Sequence, residues 1–176
     1  MVTLFNSASR SAASASTLAD GNPAVIEAIL RSRRMLNKRA LVAGLAGAVP
    51  VPGLDWAVDA ALLSKLLPKI NAEFGLSAQQ LDRLDPTQRD RVQKAIAMTG
   101  TVLVGKLITK DLVLKAAKLI GVRLTAIQAA KFVPLAGQAV SAVVGYAAIR
   151  YLGEQHIKDC VRVAQQAQLA LPAPGG

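Results

Sequence analysis

The chain has 176 residues, enough for one domain with a sizeable core, and 52% of them are hydrophobic while only 3% are aromatic. The core is therefore expected to be aliphatic, and with Cys160 as the sole cysteine an intramolecular disulfide is excluded. We interpret Cys160 as a buried structural thiol in a reducing compartment. A net charge of +10 predicts a polyanionic partner, such as anionic lipid headgroups, nucleic acid or an acidic protein.

The residue usage predicts an all-α fold. Ala, Leu, Lys and Gln are abundant, and long stretches follow a 3.6-residue period, which indicates a compact bundle of about five to seven helices. Residues 1–21 are rich in Ser and Ala and lack the apolar run of a secretory signal, so we expect a disordered arm. Residues 22–170 are predicted to form a single helical domain, followed by a disordered tail, 171–176.

A basic helix is predicted to begin at Asn22 and Pro23, since Asn accepts hydrogen bonds from free first-turn amides and Pro tolerates the first helical position. Its aliphatic side is accompanied by five cations: Arg31, Arg33, Arg34, Lys38 and Arg39. Such a helix is suited to an anionic membrane surface, with its cations directed towards the phosphates. The same pattern also fits the solvated basic face of a soluble bundle, and the sequence favours neither.

The uncharged run Leu41–Leu54 has fourteen residues, too few to cross a bilayer as a straight helix, and its prolines and glycines interrupt it further. The next helix is predicted from Asp55 to about Phe74, with Asp55 and Asp59 one turn apart near its start. Carboxylates at that position interact favourably with the helix dipole. Because no His or further carboxylate is near in sequence, we interpret both as structural and predict no metal site.

Two successive capping patterns, Ser77–Gln80 and Asp85–Gln88, predict a short helix and then a longer helix that turns apolar and extends to Ile108. Within the longer helix, Gly100–Leu107 matches the phosphate-binding pattern G-x4-G-K. Its last position is a leucine where a Ser or Thr would hold magnesium, and the pattern needs a preceding β-strand. We therefore reject a phosphate loop.

A second basic region begins with Lys106 and Lys110 and is followed by Phe132–Ile149, which contains eighteen residues and no charge. Lys131 and Arg150 border this run in the manner of the positive borders of membrane segments. A proline and two glycines make the run marginal for spanning a bilayer. We predict that these bordering cations, together with those of the first helix, contact an anionic surface.

Small residues recur at every fourth position in two helices, a spacing that lets another helix approach closely. Each stripe follows a Val-Pro pair, and the two lie 84 positions apart in the same register. The residues of the two stripes are Gly53, Ala57, Ala61 and Gly137, Ser141, Gly145. We predict that they face each other in two central helices, related by a pseudo-repeat and wrapped by the basic helices.

The sole histidine, His156, has no sequence-local partner at a catalytic spacing. We expect it to hydrogen-bond either to solvent or between helices. Since no other catalytic constellation is present, we predict that the chain is not an enzyme and needs no cofactor.

The runs ALVAGLAGAVPVPGLDWAVDAALLSKLLPKINAEFGL and AAKFVPLAGQAVSAVVGYAAIRYLGEQHI carry a family resemblance. They resemble the helical domain of unknown function of YcjF-like inner-membrane proteins, which also follows the G domain of some Era-like small GTPases. They are similar to the EcsC-like family as well, and the likeness covers about Arg39 to Val163. It implies a bacterial, membrane-associated helical module, often an appendage of a GTPase, although this chain lacks a G domain.

These observations predict a membrane-associating helical module, either an adaptor or a membrane-active protein, at the inner face of the cytoplasmic membrane. The alternative is a soluble all-α module for protein interaction or self-association. The expected partners are an anionic membrane surface, a separate GTPase and a second copy of the chain. Nucleic-acid binding is disfavoured, because the cations are spread over several helices and few aromatic residues are available for base stacking.

Overall fold

The computed structural model of the chain describes residues 2–47, 54–101, 104 and 136–172. These residues form helices and no strand, which confirms the all-α class. The helices are α1 (Val2–Leu18), α2 (Pro23–Gly47), α3 (Leu54–Glu73), α4 (Ala78–Asp82), α5 (Pro86–Thr99) and α6 (Ala136–Gln166).

The N-terminus of α2 is capped as predicted. Asn22 Oδ1 accepts hydrogen bonds from the backbone amides of Ala24, at 3.1 Å, and Val25, at 3.4 Å. These amides belong to the first turn of the helix and have no carbonyl partner within it. Pro23 occupies the first helical position, where its missing N–H has no cost.

Local side chains also define α4. The Ser77 hydroxyl accepts from the Gln80 amide at 3.3 Å, and Gln80 Oε1 accepts from the Ser77 amide at 3.1 Å, so the predicted capping box is closed. In α5, Asp85 Oδ1 accepts from the Gln88 amide at 3.0 Å, which completes an N-cap.

The prediction that α5 extends to Ile108 is wrong. The helix ends at Thr99, because Gly100 takes a left-handed conformation with φ of 68° and its amide donates to the carbonyls of Ile96 and Ala97. Since the residues before Gly100 are helical, the strand required by a phosphate loop is absent there.

The sequence predicts a disordered arm over residues 1–21, whereas residues 2–18 form α1. Alanine has the highest helix propensity, and its small side chain lets α1 pack closely, with Ala15 fully buried; Ala19, directly after the helix, is also fully buried. One Arg33 guanidinium nitrogen donates to the Ser11 carbonyl at 3.0 Å and to the Ser14 hydroxyl at 2.9 Å. The final residues of the expected tail, 173–176, lie outside the described residues.

The sequence predicts a single helical domain over 22–170, whereas the chain divides into two compact units. Unit 1 comprises residues 1–34, 68–107 and 155–176, and unit 2 comprises residues 35–67 and 108–154. Helices α2, α3 and α6 each contribute to both units.

Both units have aliphatic cores, as the composition predicts. The largest buried side chains of unit 1 are Ile29, Ile70, Phe74, Leu76, Val92, Val104, Ile157 and Val161. In unit 2 the buried apolar side chains that the structure describes are Leu36, Ala40, Ala43, Leu63, Leu66, Leu67 and Ile149.

Candidate functional site

Two of the five α2 cations are bound within unit 1. Arg31 Nε donates to Glu73 Oε2 at 2.6 Å, and Arg31 Nη1 lies 3.4 Å from Glu27 Oε2. Arg33 donates hydrogen bonds to Ser11 and Ser14 of α1. Arg31 and Arg33 were predicted to contact an anionic surface, but their guanidinium groups already have protein partners. We therefore assign them to the packing of unit 1.

The other three cations of α2 remain accessible. Arg34 and Lys38 are exposed and Arg39 is partly exposed, and none of them makes an ion pair with a described residue. Lys38 and Arg39 belong to unit 2. The charge of these side chains is thus available to an external anion.

Exposed apolar side chains are concentrated in unit 2. Among the side chains that the structure describes, six large apolar ones are exposed, and five of these belong to unit 2. The five are Leu41 (60% exposed), Val42 (48%), Val143 (66%), Tyr146 (36%) and Tyr151 (56%). The sixth, Met98 in unit 1, is 77% exposed and stands alone on α5. Net charge does not distinguish the units. Unit 1 has twelve basic and seven acidic residues, and unit 2 has nine basic and four acidic residues, so each unit carries a net charge of +5.

On α2, Lys38, Leu41 and Val42 share one side of the helix, because residues three and four apart are neighbours on a helical surface. We call this group the α2 face. No Asp or Glu occurs between Glu27 and Asp55 in the sequence. The α2 face therefore combines exposed apolar area with an unneutralised cation.

On α6, a second such group consists of Val143, Tyr146, Ala147, Arg150 and Tyr151, which we call the α6 face. All are exposed except Arg150, which is partly exposed and makes no ion pair with a described residue. No acidic residue occurs in the sequence from 112 to 153. The α6 face is thus exposed, while the predicted wrapping of this helix by the second basic region stays a prediction, because residues 105–135 lie outside the described residues.

Next to the α6 face, α6 packs closely against α2 within unit 2. A Cβ atom added to Gly153 would lie 2.8 Å from Leu36 Cδ2 and 3.1 Å from Leu36 Cγ, so the glycine allows a close approach. Sequence reasoning missed Gly153, although the four-residue period of Gly145 continues through Ile149 to this position. This contact joins α6 to α2 at the border of the α6 face.

Several predicted residues cannot be compared with the structure. Lys106, Lys110, Lys131 and Gly53 lie outside the described residues. Of the other stripe residues in α3 and α6, Ala61 is partly buried. The burial of the remaining four is not described: Ala57, Gly137, Ser141 and Gly145. Asp55 and Asp59 lie in the first two turns of α3, but their side chains are likewise not described. The facing of the two stripes therefore stays a prediction.

A buried polar cluster connects α3 and α6 in unit 1. His156 Nε2 lies 2.9 Å from Asn71 Oδ1, and the Cys160 thiol donates to the same oxygen at 3.3 Å. All three side chains are buried, which confirms the structural thiol and selects the interhelical alternative for His156. Sequence reasoning missed the cluster, although Cys160 follows His156 by four residues, one helical turn.

The cluster is unsuited to nucleophilic catalysis. Burial raises the pKa of the Cys160 thiol well above its ordinary value, and the negative charge of Asp159 raises it further. A thiol rather than a thiolate is therefore present, and the thiol is a poor nucleophile. Burial also raises the pKa of Asp159, against the opposing effects of a Thr101 hydrogen bond and the Arg162 charge.

Comparison of the chain with family models, curated proteins and solved structures finds no match. Among the residues that the structure describes, no three His, Cys, Asp or Glu side chains are grouped as metal ligands. No described helix combines the length and apolar character required to cross a membrane.

Proposed function

We propose that this chain is a membrane-associating helical module that lies peripherally on an anionic membrane surface and acts as an adaptor or membrane-active protein without its own catalysis. The observation that carries this proposal is the concentration of exposed apolar side chains in unit 2, next to cations without ion-pair partners among the described residues.

The physical argument combines two forces. Apolar area removed from water contributes about 25 cal/mol per Å², so Leu41, Val42 and Val143 favour transfer to the boundary between headgroups and acyl chains. Lys38 and Arg150 would extend towards lipid phosphates, and each basic residue near an anionic leaflet contributes about 1 kcal/mol. An apolar and an electrostatic contribution, each weak, are thus combined on the α2 face and on the α6 face.

We place the module at the inner face of the cytoplasmic membrane, where anionic lipids and reduced thiols coexist. The free, buried Cys160 supports a reducing compartment. A separate GTPase is the protein partner that the family resemblance implies, and it forms part of the same proposal.

Liposome flotation tests the membrane proposal. Vesicles of phosphatidylcholine with phosphatidylglycerol are compared with pure phosphatidylcholine, at low and high salt. We expect the chain to float with the anionic vesicles, with binding reduced but not abolished at high salt, because the apolar contribution is not screened. Absence of flotation with anionic vesicles under both conditions would refute the proposal.

Matched variants test the surface itself. Leu41→Ser and Val143→Ser should each weaken flotation, because they remove exposed apolar area from the α2 and α6 faces. Met98→Ser is the control, since Met98 is at least as exposed but belongs to unit 1. Equal effects of the three variants would argue against a site in unit 2.

The alternative is that the same faces mediate self-association. Analytical ultracentrifugation without lipid distinguishes the two functions. A concentration-dependent dimer that Val143→Ser abolishes, together with no flotation, would favour self-association over membrane binding.

A further inference from the structure

The geometry of the α6 face points to a binding element for one lipid group. We propose that Arg150, flanked by Tyr146 and Tyr151, binds the phosphodiester group of an anionic phospholipid. This inference rests on the proposed membrane association and adds the lipid group recognised and the residues that recognise it.

The position of Arg150 is the first argument. With 3.6 residues per turn, Arg150 lies within roughly 20° of Val143 around the α6 axis, with Tyr146 on one side and Tyr151 on the other. The cation is therefore near the middle of the exposed face. If α6 rests on a membrane through this face, Arg150 is directed at the headgroup layer.

The electrostatic setting is the second argument. Arg150 makes no ion pair with a described residue, in contrast to Arg31, which contacts two carboxylates. The acidic residue nearest in sequence, Glu154, follows one turn later and marks the end of the acid-free stretch. A guanidinium group stays protonated and presents paired N–H donors that match two phosphate oxygens, so a phosphodiester suits it well.

The two tyrosines are the third argument. The chain contains only two tyrosines, and both lie on the α6 face beside Arg150. Tyrosine is enriched at membrane interfaces because its ring is apolar and its hydroxyl is polar. The Tyr146 hydroxyl, one turn before Arg150, can therefore donate to the headgroup that Arg150 contacts, while Tyr151 lies about 100° further around the helix and can anchor the other edge of the face at the interface.

The test measures binding to vesicles of phosphatidylcholine with a fixed fraction of phosphatidylglycerol, over a range of lipid concentrations. Loss of one surface charge corresponds to about 1 kcal/mol, or about a five-fold weaker affinity. We expect Arg150→Gln to exceed that five-fold loss, and Arg150→Lys, which keeps the charge, to lose affinity by a smaller factor. The double variant Tyr146→Phe/Tyr151→Phe, which keeps both rings, should also weaken binding.

Arg91→Gln is the matched control. Arg91 is an exposed helical arginine of unit 1 and its replacement changes the net charge equally, so we expect a smaller loss than with Arg150→Gln. Thermal unfolding followed by circular dichroism checks that all variants are folded.

The outcomes separate this inference from the proposed function. If the wild-type chain floats but Arg150→Lys binds like wild type and Arg150→Gln binds like Arg91→Gln, the assignment of Arg150 is overturned while membrane association stands. If the wild-type chain does not float, both proposals fail. If millimolar inorganic phosphate stabilises the wild-type chain but not Arg150→Gln, the site takes free phosphate and the lipid assignment is overturned.

Discussion

Gly153 of α6 packs directly against the side chain of Leu36 of α2, which is fully buried. The absence of a Cβ atom at position 153 is what permits this approach. Gly153 lies three residues after Arg150 and seven after Tyr146, so this contact between α6 and α2 borders the exposed α6 face.

Replacing Gly153 by alanine tests this relationship. At an ordinary helical position, Gly→Ala stabilises a protein by about 0.5–1 kcal/mol. Here the new methyl group would overlap Leu36, which is enclosed by the core, so we expect a destabilisation of about 1–3 kcal/mol. The measurement is urea-induced unfolding of both proteins.

The same substitution in a Leu36→Ala background provides the control. Leu36→Ala alone should cost about 2–5 kcal/mol, because it leaves a cavity. In that background Gly153→Ala should become neutral or stabilising, since space is available for the methyl group. A stabilising effect of Gly153→Ala in both backgrounds would contradict the close contact.

Arg31 and Lys38 should separate stability from membrane binding. Arg31→Gln removes the partner of the Glu73 carboxylate, and we expect it to lower the free energy of unfolding by about 1–3 kcal/mol. Lys38→Gln should change stability by less than about 0.5 kcal/mol, because Lys38 is exposed and makes no ion pair with a described residue.

Flotation with anionic vesicles should give the opposite order, with the larger loss for Lys38→Gln. Both substitutions remove one positive charge, so the net-charge effect is the same and only position differs. Equal flotation losses for the two variants would mean that vesicle binding follows net charge rather than the α2 face.

The helix boundaries that could be predicted from sequence are those set by neighbouring residues. Asn22, Ser77 and Asp85 each accept hydrogen bonds from amides two or three positions away, so their roles are visible in a short stretch of sequence. The helix α1 could not be predicted in this way. It packs through Ala15 and bonds to Arg33, which is 22 residues from Ser11, and such contacts exist only after folding.

The candidate site was predictable only in part for the same reason. The cations of α2 are close together in the sequence and were predicted to act together. Arg31 instead donates a hydrogen bond to Glu73, which is 42 positions away, and this contact exists only in the folded chain. The exposure of one side of α6 could not be predicted from the sequence either. A run without charge has no polar side from which to predict exposure, so Val143 could equally have been a core residue.

The buried thiol predicts an alkaline loss of stability. Because burial raises the pKa of Cys160 in the folded state, the thiol ionises more readily in the unfolded chain. The corresponding stability is fully present below the ordinary cysteine pKa of about 8.5 and is lost as pH rises above it. Urea unfolding between pH 7 and pH 10 should show a shallower decline for Cys160→Ala than for wild type. Identical slopes would contradict the raised pKa.

Asn71 should be the most sensitive position of the polar cluster. Its Oδ1 is the shared partner of His156 Nε2 and the Cys160 thiol, so Asn71→Leu deprives two buried groups of an acceptor. We expect a cost of about 1–3 kcal/mol in urea unfolding, because a buried polar group without its partner keeps its full desolvation penalty. The double variant Asn71→Leu/His156→Leu should recover part of this loss, since it removes one of the two groups that lose this acceptor. If Asn71→Leu is as stable as wild type, the cluster does not stabilise the contact between α3 and α6.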